Sequence, residues 1–492
     1  MKNIAIAVIA LIFGLPALAQ DNIFLDKDFW NAKPSIETID LKIKEGHDIA
    51  QANSSNFDGV TQAILQDAPL ESIKYAISKK GNDVNKLTHD GRTYIFWAAS
   101  KGNTELITYL IENGAKTNIT DDKGSSIINF AASSGQKNTK VYDILLQQGI
   151  EINTDVTPSG ANALLLAAQH DKDLSLINYF TSKNADINSV DAKGNGVFNY
   201  AAKTGNITLM NELLKKGIQG NDTAFIFASQ GARGVTNGID VYNYLESVGL
   251  NPNVVSKDGE NPLHALASRS KDLAVINYFI NKNVDVNQPD VLGNTPFMNA
   301  ATHNNLEVVT LLSKTLKDIN QTNKKGESAL TLAVANNSAD VVAFLLSINA
   351  DVAIADHTNE GANLSAYLMQ SYSQKKEEDF KQKLQLLQNK GFEFGKPQAN
   401  GNTIYHLALD KNDLAAVKFI KPFNADVNAK NNEGITALHK AAMKANSTEI
   451  LKYLVSIGAK KEITTEFDET AYDLASENEL LLKQNASLDF LK

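Results

Sequence analysis

The 492-residue chain contains no cysteine. This absence excludes disulfide bonds, thiolate metal sites, a cysteine nucleophile and a lipid anchor on an N-terminal cysteine. It does not identify a compartment, although a chain without free thiols suits an oxidising one.

Arginine is also scarce, with Arg92, Arg233 and Arg269 as the three examples, and the formal net charge is −9. Binding to nucleic-acid phosphates needs a cationic face, and a bidentate grip on phosphate or carboxylate needs the guanidinium fork. We therefore expect no nucleic-acid partner.

Long apolar runs are absent beyond the first residues. Lys2 gives a positive start, residues 4–13 form an apolar run, and small residues lie on both sides of Leu18 before Gln20. This arrangement is typical of a secretory signal peptide over residues 1–19, cleaved between Ala19 and Gln20. The alternative, an uncleaved anchor, is disfavoured because the run is far shorter than the roughly 20 residues that span a bilayer. We expect an exported mature chain without membrane insertion.

The rest of the chain repeats one short unit, of which residues 258–287 are the clearest copy. Asn261 and Pro262 predict a helix start, because asparagine caps a free backbone N–H and proline lacks only an unpaired donor. Helix one is predicted at 263–269, and an apolar stripe from Leu273 predicts helix two. A glycine precedes most copies, at gaps of mostly about 33 residues. These glycines are Gly59, Gly91, Gly124, Gly160, Gly194, Gly259, Gly293, Gly326, Gly361, Gly401 and Gly434.

The unit, DGENPLHALASRSKDLAVINYFINKNVDVN, resembles the ankyrin repeat, whose pattern is roughly D-x-x-G-x-T-P-L-H-x-A-A-x-x-G, then L-L-x-x-G-A and D-x-N. The resemblance implies an all-α repeat solenoid of about twelve repeats, each a helix–turn–helix with a β-hairpin-like turn, and helical caps at both ends. An irregular copy at 221–253 fills the long gap between Gly194 and Gly259. Lysine- and asparagine-rich usage and the short signal favour an exported bacterial member of the family.

The expected boundaries are an N-terminal helical cap at 20–56, the repeat array at 57–463 and a C-terminal capping repeat at 464–492. The repeats are predicted at 57–88, 89–121, 122–156, 157–190, 191–219, 220–256, 257–289, 290–322, 323–355, 356–397, 398–430 and 431–463. The third and sixth repeats have an enlarged turn between their helices, and the tenth carries an insertion at 371–379.

No catalytic or metal-binding motif stands out from the repeat background. His264, His406 and His439 occupy the histidine of T-P-L-H, where the resemblance implies hydrogen bonds between neighbouring helix starts. The glycine-rich 231–238 lacks the preceding strand and the G-K-[ST] of a phosphate loop. We expect no metal ion, no cofactor and no enzyme activity, since no non-repeat segment is large enough for a catalytic site.

The surface remains as the functional candidate. In ankyrin arrays, the turns between repeats and the exposed sides of the first helices form a concave face that usually binds protein. Carried onto this sequence, the face comprises Arg92, Ser100, Lys101, Lys123, His170, Lys193, Asn195, Lys203, Glu260, Arg269, Asn294, His303, Lys325, Glu327, Asn402, Glu433 and Ile435.

A row of large side chains follows the T-P-L-H positions, namely Trp97, Phe130, Leu166, Tyr200 and Phe227. Ankyrin repeats often have leucine there, packed between first helices, so core packing is the simpler interpretation. The alternative is that the aromatic rings reach the groove and anchor a partner, as aromatic residues do at interface hot spots.

These observations predict a monomeric, non-catalytic scaffold for protein–protein interaction, exported to the periplasm or the cell exterior. Its partner is an unidentified protein held by the concave face. A secreted effector or adhesin acting on a protein of a foreign cell is the alternative.

Overall fold

The structure, a computed structural model, describes residues 22–232, 234–353, 361–484 and 486–492. The predicted signal peptide, with its cleavage site at Ala19 and Gln20, lies outside these residues. Within them, regular secondary structure is helical, and extended segments form only isolated bridges such as Thr120 with Ser126. The expected all-α class is confirmed.

The chain forms two compact units. The described residues up to Ala201, together with Thr208–Gln219, make the first, whereas Ala202–Ile207 and Gly220–Lys492 make the second.

The first unit contains most of α1 to α12, of which α11 ends and α12 begins with one residue of the second unit. These helices are α1 (Lys27–Asn31), α2 (Ile36–Lys44), α3 (Gly59–Leu65), α4 (Leu70–Ile77), α5 (Tyr94–Lys101), α6 (Thr104–Glu112), α7 (Ile127–Ser133), α8 (Thr139–Leu146), α9 (Ala163–Ala168), α10 (Ser175–Ser182), α11 (Val197–Ala202) and α12 (Ile207–Lys215). Short 3-10 turns lie at Ile23–Leu25 and His89–Gly91.

The second unit contains α13 to α28. These are α13 (Ala224–Gln230), α14 (Ile239–Ser247), α15 (Pro262–Arg269), α16 (Leu273–Asn281), α17 (Pro296–His303), α18 (Leu306–Ser313), α19 (Ala329–Asn336), α20 (Ala339–Ser347), α21 (Leu364–Ser371), α22 (Glu377–Gln388), α23 (Ile404–Leu409), α24 (Leu414–Phe419), α25 (Ala437–Lys444), α26 (Thr448–Ser456), α27 (Ala471–Glu477) and α28 (Glu479–Leu482). Further 3-10 turns lie at Gln374–Lys376, Lys421–Phe423 and Asp489–Leu491.

Each predicted repeat range, including the irregular sixth, holds one helix pair, although the exact boundaries stay predictions. First helices pack against first helices, as in the series α3, α5, α7, α9 and the series α13, α15, α17, α19. In the N-terminal region, Trp30 is fully buried and its indole N–H donates to Phe24 O at 2.8 Å. Trp30 therefore packs in the interior of this region.

The predicted helix start at Asn261 and Pro262 is confirmed, since α15 begins at Pro262 and Asn261 Oδ1 accepts from Leu263 N at 3.0 Å. The predicted second helix is confirmed as α16.

The turn before α17 is closed by a side chain of its own first residue. Asp290 Oδ1 accepts from the backbone N–H groups of Leu292 and Asn294, both at 2.8 Å. Gly293 has a φ of +84°, and a Cβ there would lie 2.9 Å from Lys324 N of the next turn. Glycine recurs at this position because the backbone is left-handed and the neighbouring turn lies close.

Asparagine clamps join the exits of consecutive repeats. Asn428 Nδ2 donates to Gly458 O at 3.0 Å and its Oδ1 accepts from Lys460 N at 2.8 Å. Asn153 makes the same pair of bonds to Asn184 O and Asp186 N. One amide therefore satisfies a donor and an acceptor of the next repeat, which explains the recurring D-x-N.

The insertion of the tenth repeat supports the ninth. It leads into α22, where Asp379 Oδ1 accepts from Ala339 N at 2.9 Å and caps α20, whose own N-cap residue Ser338 makes no side-chain capping bond. Lys383, only 2% exposed, pairs with Asp379 at 2.9 Å and donates to Val334 O at 3.3 Å. The sequence analysis did not predict this pair, in which Lys383 is buried and Asp379 is half-buried.

The T-P-L-H histidines bridge neighbouring repeats, which confirms their expected role. His406 Nδ1 accepts from Thr403 N at 3.2 Å, so Nε2 carries the proton and donates to Ile435 O at 3.0 Å. His264 and His439 make equivalent bonds to Asn294 O and Ile463 O. Burial lowers the pKa of all three imidazoles below the ordinary value of 6.5.

The lowered pKa gives a prediction for stability against pH. Protonation is easier in the unfolded chain, so the contribution of these histidines is complete above about pH 6.5 and is lost as the pH falls towards the folded-state pKa. We expect the combined His264→Gln, His406→Gln and His439→Gln variant to melt at a lower temperature at neutral pH. Its melting temperature should also fall less between about pH 7.5 and about pH 5.5 than that of the parent chain.

The control is His303→Gln, because His303 is exposed. The control should keep the parent's slope of melting temperature against pH, measured by circular dichroism. An unchanged slope in the triple variant would contradict neutral buried histidines at these positions.

Candidate partner-binding surface

The predicted contact residues lie in the turns and at the ends of the first helices, and their burial divides them into three groups. The exposed group is Lys101, Lys123, Lys193, Arg269, His303, Lys325 and Glu433. The half-buried group is Ser100, Phe130, His170, Lys203, Phe227, Glu260, Asn294, Glu327, Asn402 and Ile435. The buried group is Arg92, Trp97, Asn195 and Tyr200.

Arg92 is buried, with 7% of its surface exposed. Its Nε donates to Asp121 Oδ2 at 2.9 Å, a second nitrogen lies 3.1 Å from Asp90 Oδ2, and its guanidinium lies 4.2 Å from the centre of the Phe130 ring. This guanidinium links the turns of two repeats. A partner contact at Arg92 stays a prediction, but replacing Arg92 would also break this internal network.

The aromatic row is largely interior. Trp97 is 6% exposed, its indole N–H donates to Thr88 Oγ1 at 2.8 Å, and its ring meets Phe130 edge to face at 5.6 Å. Tyr200 is 7% exposed and donates to Asp191 Oδ2 at 3.1 Å. These contacts favour core packing for Trp97 and Tyr200, and contact with a partner stays a prediction.

Several half-buried polar residues are engaged with neighbouring turns. Asn294 Oδ1 accepts from Asn323 Nδ2 at 2.9 Å, and Glu327 Oε2 accepts from the same amide at 2.8 Å. Asn402 Oδ1 accepts from Asn431 Nδ2 at 2.9 Å. In this part of the second unit, the polar residues tie the turns to one another.

Two of the exposed cations form ion pairs at the surface. Lys123 lies 2.5 Å from Asp90 and Lys101 lies 2.7 Å from Asp67, in ion pairs on the surface. The hydrogen bond from Lys123 lowers the pKa of Asp90. Such exposed pairs contribute little to stability, so a partner can exchange them at small cost.

Sequence reasoning missed a set of exposed aliphatic residues in the first unit, namely Leu87, Val156 and Val190. Each precedes the residue that opens a turn, at Thr88, Thr157 and Asp191. The signal that could have found them is this fixed position directly before the turn, where Leu87, Val156 and Val190 are all exposed.

The described residues contain no group of three or more histidine, cysteine or acidic side chains placed to hold a metal ion. Among their helices, none has both the length and the apolar character needed to cross a bilayer.

The helix pairs and their side-chain-closed turns define a repeat protein built from one helix–turn–helix unit. Residues 61–156, 232–323, 266–356 and 368–465 match the family model described as ankyrin repeats in three copies. These matches together cover more than half of the chain. The chain belongs to the ankyrin repeat family.

Its curated relatives are diverse. It is 24% identical over 197 residues to palmitoyltransferase AKR1 of Lachancea kluyveri, covering 39% of this chain and 25% of the relative. It is 25% identical over 139 residues to phosphocholine transferase AnkX of Legionella pneumophila, covering 28% of this chain and 15% of the relative. It is 24% identical over 261 residues to alpha-latroinsectotoxin-Lt1a of Latrodectus tredecimguttatus, covering 49% and 18%. The match spans a quarter or less of each relative.

The packing of the aromatic row gives a second prediction. Trp97→Leu removes the indole bond to Thr88 and part of the ring contact with Phe130, so we expect a loss of about 1–3 kcal/mol in the free energy of unfolding. Urea denaturation followed by circular dichroism measures it. The exposed Lys101→Ala is the control, with an expected change within about 0.5 kcal/mol. An undiminished stability in Trp97→Leu, together with weaker partner binding, would instead assign Trp97 to the binding surface.

Proposed function

We propose that this chain is a non-catalytic scaffold that binds a protein partner through the turns and first-helix ends of its ankyrin repeats. The observation that carries this proposal is the division of those residues by burial. Buried side chains of the set bond to other residues of the chain, as Arg92 does to Asp121 and Tyr200 to Asp191. Lys123, Lys193, Arg269 and Lys325 are exposed to solvent. Family membership supports protein binding as the general role.

The rigidity of these elements supports the same role. Side-chain-to-backbone hydrogen bonds such as that of Asp290 fix the turns. Asparagine clamps such as Asn428 join consecutive repeats. Exposed residues on a backbone fixed in this way lose little conformational entropy when a partner binds.

A binding role also fits the named transferases among the relatives. Their alignments with this chain are confined to repeats and cover 25% of AKR1 and 15% of AnkX. Shared repeats do not carry over an activity, because function depends on a site and not on a fold. We therefore keep catalysis out of the proposal.

The test is affinity capture with the mature chain from envelope and culture-medium fractions of the producing cell. A groove variant carries Lys123→Ala, Lys193→Ala, Arg269→Ala and Lys325→Ala. A matched control removes four exposed lysines of the helix-two side, Lys140, Lys216, Lys314 and Lys390. We expect a partner that the parent and the control retain and that the groove variant loses, since interface charges steer and hold a partner.

Both variants must keep the parent's circular dichroism spectrum and melting temperature. Arg92 is left intact because its replacement would disturb the internal ion pairs. Equal capture by the groove variant and the control would contradict binding through this surface.

We further propose that the chain is exported and that it resides in the periplasm. Secretion to the cell exterior is the alternative. The support is the charged start, apolar run and small-residue site of residues 1–19. N-terminal sequencing of the protein purified from its natural source should begin at Gln20. A retained Met1 would contradict cleavage, and recovery only from the medium would favour the effector or adhesin alternative.

A further inference from the structure

Within the part of the chain that the structure describes, two cations of the second unit have no carboxylate partner. Lys203 follows α11 and Arg269 ends α15, and neither forms an ion pair with any described residue. Lys203 is half-buried, whereas Arg269 is exposed. In a chain of net charge −9, two cations without an ion-pair partner, on repeats either side of the sixth, are an available binding element.

Hydrogen bonds hold both residues at the C-terminal end of α13. Asn237 Nδ2 donates to Lys203 O at 3.1 Å and to Ala228 O at 2.8 Å, which ties the backbone of Lys203 to this helix end. Arg269 donates one guanidinium N–H to Gln230 O at 3.3 Å. The other guanidinium N–H groups of Arg269 make no bond to a described residue and can still donate to a carboxylate.

The residue after Gln230, at the end of α13, is Gly231. Gly231 has a φ of +62°, and a Cβ there would lie 2.0 Å from Val235 O, so the enlarged turn requires glycine.

The two charges repel one another. Burial lowers the pKa of Lys203, and the positive charge of Arg269 lowers it further. A like-charged, partly desolvated pair without a counter-ion is unfavourable. An anionic group beside both residues would remove that repulsion and form charge-assisted hydrogen bonds.

We propose that Lys203 and Arg269 form a docking site for an acidic segment of the protein partner, whose aspartate or glutamate side chains lie against the end of α13. The inference rests on the proposed function and deepens it. A protein segment is the favoured occupant because both cations lie at first-helix ends, along the surface where the partner is proposed to run. A segment can present successive carboxylates to residues of the fifth and seventh repeats.

The test measures binding of fluorescein-labelled hexaglutamate to the full chain by fluorescence anisotropy, with labelled hexaglutamine as the neutral probe. The variant is Lys203→Gln with Arg269→Gln, which keeps a polar, unbranched side chain at each position and removes both charges. The matched control is Lys314→Gln with Lys390→Gln, two exposed lysines of the same unit outside the proposed surface. Circular dichroism confirms that both variants fold.

We expect hexaglutamate to bind the parent and the control alike, and to bind the Lys203/Arg269 variant about tenfold more weakly. Hexaglutamine should not bind, and added salt should weaken the hexaglutamate complex. Equal loss of affinity in variant and control, or no binding to the parent, would overturn the proposal.

Competition distinguishes the source of the anion. If millimolar inorganic phosphate displaces labelled hexaglutamate as well as the unlabelled peptide does, the site takes a free anion and the acidic-segment proposal fails. Because hexaglutamate binding requires no knowledge of the natural partner, failure here leaves the affinity-capture test of the proposed function intact.

Discussion

A single helix pair of this chain cannot bury its own apolar faces or satisfy its own backbone ends, and both tasks fall to the adjacent repeat. Leu263 and Leu266 of α15 are fully buried because the first helices on either side cover them. The same dependence applies to polar groups. Carbonyls at the end of α15, at Ala267 and Ser270, accept from Asn304 of the following repeat at 2.8 Å each. The stability of the chain therefore depends on the interfaces between adjacent repeats.

This dependence explains why so many polar side chains recur without forming an active site. Asn428, His406 and Asn304 each reach one repeat away and satisfy backbone groups there. Each is buried or partly buried and bonded, which is the state expected of interior polar groups. The side chains available to bind a partner are those that are not fully engaged in contacts between adjacent repeats. In the second unit, Lys203 and Arg269, which form no ion pair with a described residue, are the clearest examples.

Much of the fold follows from local sequence. The helix pairs, including the irregular pair α13 and α14, could be predicted from three features. These are the Asn261 cap, the apolar stripe from Leu273 and the spacing of the glycines. The bridging role of His264 could also be predicted, because it follows from one fixed position of the repeat, the histidine of T-P-L-H. The candidate surface was less accessible to sequence. Arg92 reads as an exposed turn residue, yet it is 7% exposed, since Asp90 and Asp121 of successive turns close around it.

By itself, the sequence determined the repeat unit, its helix starts and its left-handed turns, because these depend on residues within a few positions of one another. Only the tertiary structure decided which charges are paired and which polar side chains face inward. Those outcomes depend on residues about one repeat apart, as with Asp379 capping α20 and Lys383 reaching Val334 O. Burial and charge pairing depend on which side chains of the neighbouring repeat come into contact. A pattern of residue types along the sequence does not give the distances between those side chains.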